Sequence, residues 1–186
     1  QTVSATYNAG DIPTNYGSYS ATCNGPSTPL TVTMPAGGPW QVDKVDVVYD
    51  MTATGGAYMS EQRSQIGCTE SGTNEGTYYL GSGSTGGTYS YSRTDLTFAN
   101  GIYPGNLTFE MQAYRTWGGS ACDLTYNYVD DGTWTVTVYY SSPPACPAPT
   151  ALTETVITNS GATLGWTSTE TVFDVYIVPT GDPAPN

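Results

Sequence analysis

Polar and apolar residues alternate one by one along much of this chain, and that two-residue period admits strands while leaving no room for an amphipathic helix. In Thr133-Trp134-Thr135-Val136-Thr137-Val138-Tyr139 it puts Trp134, Val136 and Val138 on one side. Within residues 42–49, Val45, Val47 and Tyr49 oppose Lys44, Asp46 and Val48, as a half-buried strand requires. Candidate strands fall at residues 2–7, 30–34, 42–52, 58–66, 77–80, 89–98, 107–114 and 134–140, with Gly-rich turns between them and Asp130-Asp131-Gly132 as a tight-turn signal. The expectation is an all-β chain whose residues 1–140 form an antiparallel jelly-roll or Ig-like β-sandwich.

Composition narrows the function. The chain has 186 residues, 4 Lys plus Arg against 16 Asp plus Glu, no histidine and a net charge of -12. Nucleic acid is excluded as a partner, because phosphate neutralisation needs clustered Lys and Arg. Without histidine there is neither a Ser-His-Asp arrangement nor an HExxH zinc motif. Glu61, Glu110 and Asp123, the carboxylates near aromatic residues, are the candidates for paired-acid glycoside chemistry. Acidic residues on sheet faces are ordinarily solvated, so the chain reads as no enzyme. No stretch approaches the roughly 20 apolar residues of a spanning helix. Gln1-Thr2-Val3 fits the start left by signal-peptide removal, or a chosen start.

Cys23, Cys68, Cys122 and Cys146 lack the paired spacing of a zinc site, so disulfides in an oxidising compartment are expected. Three connectivities exist; the favoured one joins Cys68 to Cys122 and Cys23 to Cys146. Residues 141–149, rich in proline, read as a semi-rigid linker. No cofactor is expected. Asp130 and Asp131, with Asp123 or Glu70, are candidate oxygen ligands for calcium, although an ordinary turn accounts for the pair and EF-hand spacing is missing. Asn106-Leu107-Thr108 is a glycosylation sequon, and Ser82-Gly83-Ser84-Thr85 offers hydroxyls for O-linked sugars.

Arg63, Arg93 and Arg115 stand in Tyr-rich strand segments of an otherwise weakly charged chain. One reading is structural: they pair with Glu61, Asp95 or Glu110 and pack on tyrosine rings. The other groups the three arginines with Tyr58, Tyr91, Tyr114 and Trp117 as a glycan-binding or interface face.

The segments Cys146-Pro147-Ala148-Pro149-Thr150, Gly161-Ala162-Thr163-Leu164-Gly165-Trp166 and Phe173-Asp174-Val175-Tyr176-Ile177-Val178 resemble the opening of a fibronectin type III module. The whole chain resembles secreted multi-domain surface proteins of Bacteroidota-like bacteria, in which a β-sandwich precedes such modules. Met59-Ser60-Glu61-Gln62-Arg63-Ser64, Tyr91-Ser92-Arg93 and Tyr114-Arg115-Thr116-Trp117-Gly118-Gly119 are similar to recurring phrases of those sandwiches. The resemblance implies secretion and an extracellular or cell-surface role in adhesion or assembly. Residues 150–186 then form a partial fibronectin type III-like module, since a complete one needs seven strands in about 100 residues. Either a longer protein continues it or another copy supplies strands. The second option makes the chain a non-catalytic subunit of an extracellular filament, a head-to-tail homo-polymer joined through strand or sheet-edge contacts. Val3, Ala5, Tyr7, Trp166, Phe173, Val175 and Ile177 are the candidate protomer contacts. The alternative is an adhesin or carbohydrate-binding module at the N-terminus of a larger secreted surface protein.

Overall fold

The structure is a computed structural model and describes residues 1–19, 23, 29–144 and 150–168. The chain divides into two compact units, Gln1–Pro143 and Pro144–Asn186. Both are built from strands, and the fold is all-β.

Unit 1 contains β1 (Thr2–Thr6), β2 (Ile12–Tyr16), β3 (Pro29–Val32), β4 (Trp40–Ala53), β5 (Gln62–Cys68), β6 (Thr73–Asn74), β7 (Tyr79–Leu80), β8 (Gly87–Leu96), β9 (Gly101–Tyr103), β10 (Leu107–Arg115), β11 (Asp123–Val129) and β12 (Thr135–Ser141). The long β4 organises the first sheet: β12 and β11 pair along one edge, β8 and β9 along the other, and β1 extends the sheet beyond β12. In the second sheet β10 pairs with β5 on one side and β3 on the other, while β6 and β7 cap the outer edge of β5. β2 pairs with β11 of the first sheet and with β10 of the second, so one hydrogen-bonded path, β1-β12-β4-β11-β2-β10-β5-β6, joins the two sheets, and β3, β7, β8 and β9 branch from it. Its pairing with β10 is parallel, whereas a purely antiparallel sandwich was expected.

The inward rows follow the two-residue period. Val45, Val47, Tyr49 and Met51 of β4, Phe109, Met111 and Ala113 of β10, and Trp134, Val136 and Val138 are all buried. Polar ties cross between the sheets inside this core. The Tyr49 hydroxyl donates to Ser64 Oγ at 2.6 Å, the Tyr91 hydroxyl to Gln62 Oε1 at 3.1 Å, and Gln62 Nε2 to the Met51 carbonyl at 3.0 Å. Such bonds hold the sheets in one register, because moving either strand would leave a buried polar group unpaired.

Val3, Ala5 and Tyr7 pack against this core through the pairing of β1 with β12. A protomer contact at β1 would therefore use its backbone edge and not those side chains. The expected cysteine pairs are corrected: Cys23 is bonded to Cys122, and Cys68 is a free thiol. Cys68 follows Gln62, Ser64 and Ile66 on the inward row of β5 and is buried there. Cys122 stands in the loop before β11, within reach of Cys23. Cys146 lies outside the described residues, as do Phe173, Val175 and Ile177.

In unit 2, β13 (Thr150–Thr155) and β14 (Thr163–Thr167) form an antiparallel pair. Leu152, Val156, Ile157 and Leu164 are exposed, and Trp166 is half-buried.

Candidate functional site: the outer face of the second sheet

The three arginines separate. Arg93 turns inward from β8, and its Nε and Nη2 meet Glu75 Oε1 and Oε2 at 2.5 and 3.0 Å, with both side chains buried. Its guanidinium lies 4.2 Å from the Tyr79 ring centroid and 5.1 Å from that of Tyr49. Glu75 also accepts the Ile66 amide at 2.7 Å. Arg115 is fully buried at the end of β10 and pairs with Asp123 at 3.5 Å. Arg63 stays half-buried on the outer surface and donates to the Ser60 and Gln62 carbonyls at 2.8 and 2.7 Å. The structural partners are thus Glu75, Asp123 and backbone carbonyls, in place of Glu61, Asp95 and Glu110. Strand alternation separates the arginines: Arg93 and Arg115 occupy inward positions, and Arg63 an outward one.

The aromatic set separates likewise. Tyr91 is buried and stacked on Tyr49, with centroids 4.8 Å apart. Tyr58 and Trp117 are exposed in loops, where Tyr58 N–H donates to Glu61 Oε2 at 2.8 Å. Tyr114 points outward from β10, beside Arg63 in the register of β5.

Around Tyr114 and Arg63 the second sheet presents three rows of outward residues. One runs Leu80, Arg63, Tyr114 and Asn15; the next pairs Gln65 with Gln112; the third runs Asn74, Gly67, Glu110 and Pro29, with Gln65 and Gly67 themselves buried. Gln65 Nε2 donates to Gln112 Oε1 at 2.7 Å. Tyr78 meets Tyr114 edge-on, with centroids 4.9 Å apart. Gly67 gives Gln112 room: a Cβ there would lie 3.1 Å from Gln112 Nε2. A shallow groove of about 210 Å³ opens here, with Gly67, Thr73, Asn74, Glu110 and Gln112 in its lining.

The face is chemically mixed. The Glu110 carboxylate accepts and the Gln112 amide donates; they are two residues apart on one strand, or roughly 7 Å. Burial pushes the Tyr19 and Tyr78 hydroxyls up from their ordinary pKa, with neighbouring Glu110 and Tyr78 adding to the rise at Tyr19, and Tyr114 at Tyr78.

The other candidates fall elsewhere. Glu61, Glu110 and Asp123 serve apart, in the Tyr58 cap, on the outer face and against Arg115 respectively. The expected calcium ligands are dispersed as well. Glu70 accepts the Thr108 amide at 2.7 Å, and Asp130 accepts Thr52 Oγ1 at 2.8 Å. Burial, with Asp11 and Asp50 nearby, raises the Asp130 carboxyl above its usual range. Among the described residues no three His, Cys, Asp or Glu side chains gather as a metal site. Asn106 is exposed between β9 and β10, and its Oδ1 accepts the Met34 amide at 3.0 Å.

Sequence reading found Tyr114, Arg63 and Glu110 but missed Gln65, Gln112, Tyr78 and Tyr19. The signal was present in Glu110-Met111-Gln112-Ala113-Tyr114, whose outward positions are all large polar or ring-bearing, whereas β12 turns out Thr135, Thr137, Tyr139 and Ser141. Among the described residues no helix is long and apolar enough to cross a membrane. The Cys23–Cys122 disulfide fits an oxidising compartment. No protein-family model matches the chain, and no curated protein matches it either.

Proposed function

We propose that the chain is a non-catalytic adhesin module of an extracellular bacterial surface protein, and that the outer face of its second sheet holds a neutral glycan. The observation that carries this reading is the juxtaposition of Gln112, Glu110 and Tyr114 on β10 with Tyr78, which the segment before β7 brings edge-on to Tyr114. Rings suit the apolar C–H face of a sugar, while an amide and a carboxylate suit neighbouring hydroxyls. The net charge of -12 repels anionic polysaccharides and leaves neutral ones as the natural class. A panel of immobilised neutral and anionic glycans tests the reading. Retention on a neutral glycan, lost in Gln112→Ala, supports it; retention on none of them overturns it.

A second reading, a filament subunit polymerising head to tail, has its own observation. Leu152, Val156, Ile157 and Leu164 of unit 2 are 72%, 74%, 71% and 52% exposed, which gives this strand pair apolar surface to cover. Electron microscopy of native material decides it. Regular filaments lost on removal of residues 144–186 support polymerisation, and dispersed particles under all conditions reject it.

A further inference from the structure

The phrase Tyr114-Arg115-Thr116-Trp117-Gly118-Gly119 encodes a clamp, and the clamp holds one half-exposed indole in place. Arg115 is fully buried, which is costly for a cation; its Nε has no hydrogen-bond partner among the described residues, and its two terminal nitrogens carry the bonds. It donates through Nη2 to the Gly119 and Ala121 carbonyls at 2.5 and 2.8 Å, and through Nη1 to Thr14 Oγ1 at 3.1 Å and to the Thr14 carbonyl. These bonds tie the loop after β10 to β2. The Cys23–Cys122 disulfide fixes the loop one residue beyond Ala121.

Tyr126 is the anvil of this clamp. The Arg115 guanidinium lies 5.0 Å from its ring centroid, and Gly118 lies against the ring, where a Cβ would come within 2.8 Å of ring carbons. Gly118 also has φ +103°, which disfavours any side chain. Trp117 meets the same ring edge-on at 5.4 Å, and its six-membered ring reaches Gly56, whose Cβ position is 3.6 Å from Cη2. Yet Trp117 remains 46% exposed, whereas Trp134 in the core is 0% exposed. A rigid exposed ring needs little further ordering when a ligand stacks on it, which is the advantage of pre-organisation.

The Trp117 loop continues directly from the strand that carries Glu110, Gln112 and Tyr114; the Thr116 amide bonds to the Glu61 carbonyl at 3.1 Å and prolongs the β5–β10 ladder. We infer that Trp117 is a stacking platform for a pyranose ring, a second subsite at the end of the sandwich where its indole rests on Tyr126 of β11 and Gly56 after β4. Arg115 and Gly118 are positioning residues for it. The inference rests on the glycan-binding reading above but uses a different group of residues, so the two can fail separately.

The test is calorimetric titration of the intact chain with soluble oligosaccharides of a neutral β-glucan, a mannan and a galactan, using an alginate oligosaccharide as the anionic control. The variants are Trp117→Ala, Trp117→Phe and Gln112→Ala, each checked by circular dichroism. Trp117→Ala is expected to weaken binding of a neutral chain about tenfold, and Trp117→Phe by less, in line with the weight aromatic anchors carry in interfaces. Should Trp117→Ala fail to fold, Trp117→Phe takes its place, with about threefold weakening expected. Wild-type affinity in the Trp117 variants, with binding lost in Gln112→Ala, overturns the platform and leaves the sheet face standing. Loss in the Trp117 variants alone upholds the platform and removes the face. Binding to none of the neutral chains overturns both.

Discussion

The two sheets of the sandwich share a strand period and a core but show opposite outer faces. On the first sheet short hydroxyl side chains satisfy one another, Ser4 with Thr137, Thr6 with Thr135 and Thr52 with Thr88, each at 2.8 Å, beside a Lys44–Asp95 ion pair and Tyr139, whose hydroxyl donates to Asp46. On the second sheet, long amides, a carboxylate and tyrosine rings occupy the equivalent outward positions. Strand propensity explains the first face, since threonine favours a solvated strand at no cost in charge. It does not explain the second. Glutamate is depleted in strands, and the glutamines bond to each other, Gln65 on β5 to Gln112 on β10.

The comparison breaks most severely at Glu75. This residue lies just after β6, between the sheets, and anchors the segment that carries Tyr78. Glu75→Gln leaves the buried Arg93 cation unpaired and is expected to cost roughly 3–5 kcal/mol in urea denaturation. A loss below about 1 kcal/mol would mean that the pair holds nothing together.

Alkaline pH strikes next, at the tie between the sheets. Burial raises the Tyr49 hydroxyl from its ordinary 10.0 to about 12. The folded state thus keeps a proton that the unfolded chain has already released. Its stabilising contribution is whole below pH 10 and is lost as pH climbs from 10 to about 12. Denaturation midpoints measured across that range should fall, and Tyr49→Phe should flatten the fall; an unchanged slope in the variant would assign it elsewhere.

Emptying one face at a time sharpens the contrast further. Gln112→Ala is expected to weaken saccharide binding about tenfold. Thr137→Ala on the first sheet removes one cross-strand hydroxyl pair, which is worth roughly 0.2–1 kcal/mol of stability. It should leave binding unchanged, as calorimetry can check. Equal losses of affinity from both substitutions would erase the distinction between the faces.

Much of the sandwich was legible in the sequence because alternation is a local signal. β4 and β12 turn the expected residues inward, and eight of the twelve strands of unit 1 coincide with alternating runs. β2, β6, β9 and β11 were not anticipated. β6 and β9 are too short to alternate, as is β7, which was found through the longer run 77–80 around it, and β2 contains Pro13. β11 breaks register between Asp123 and Tyr128, so its pattern is blurred where it meets β2. The missed β2 and β11 are the strands that join the sheets, which is why the parallel β2–β10 pairing was also unforeseen. The disulfide was misassigned for a related reason: strand-end position says nothing about which loops meet. At the candidate site, period alone could have sorted Arg93 and Tyr91 inward, but it could not reveal that the strap after β6 folds Tyr78 over Tyr114.

The most direct measurement is a chemical-shift map of the isotope-labelled chain titrated with the neutral oligosaccharide it retains best. Shifts should concentrate at Arg63, Gln65, Glu110, Gln112 and Tyr114, while Ser4, Thr88 and Thr137 stay unmoved. Shifts gathered on the first sheet, or none at saturating ligand, would contradict the assignment of binding to the second sheet.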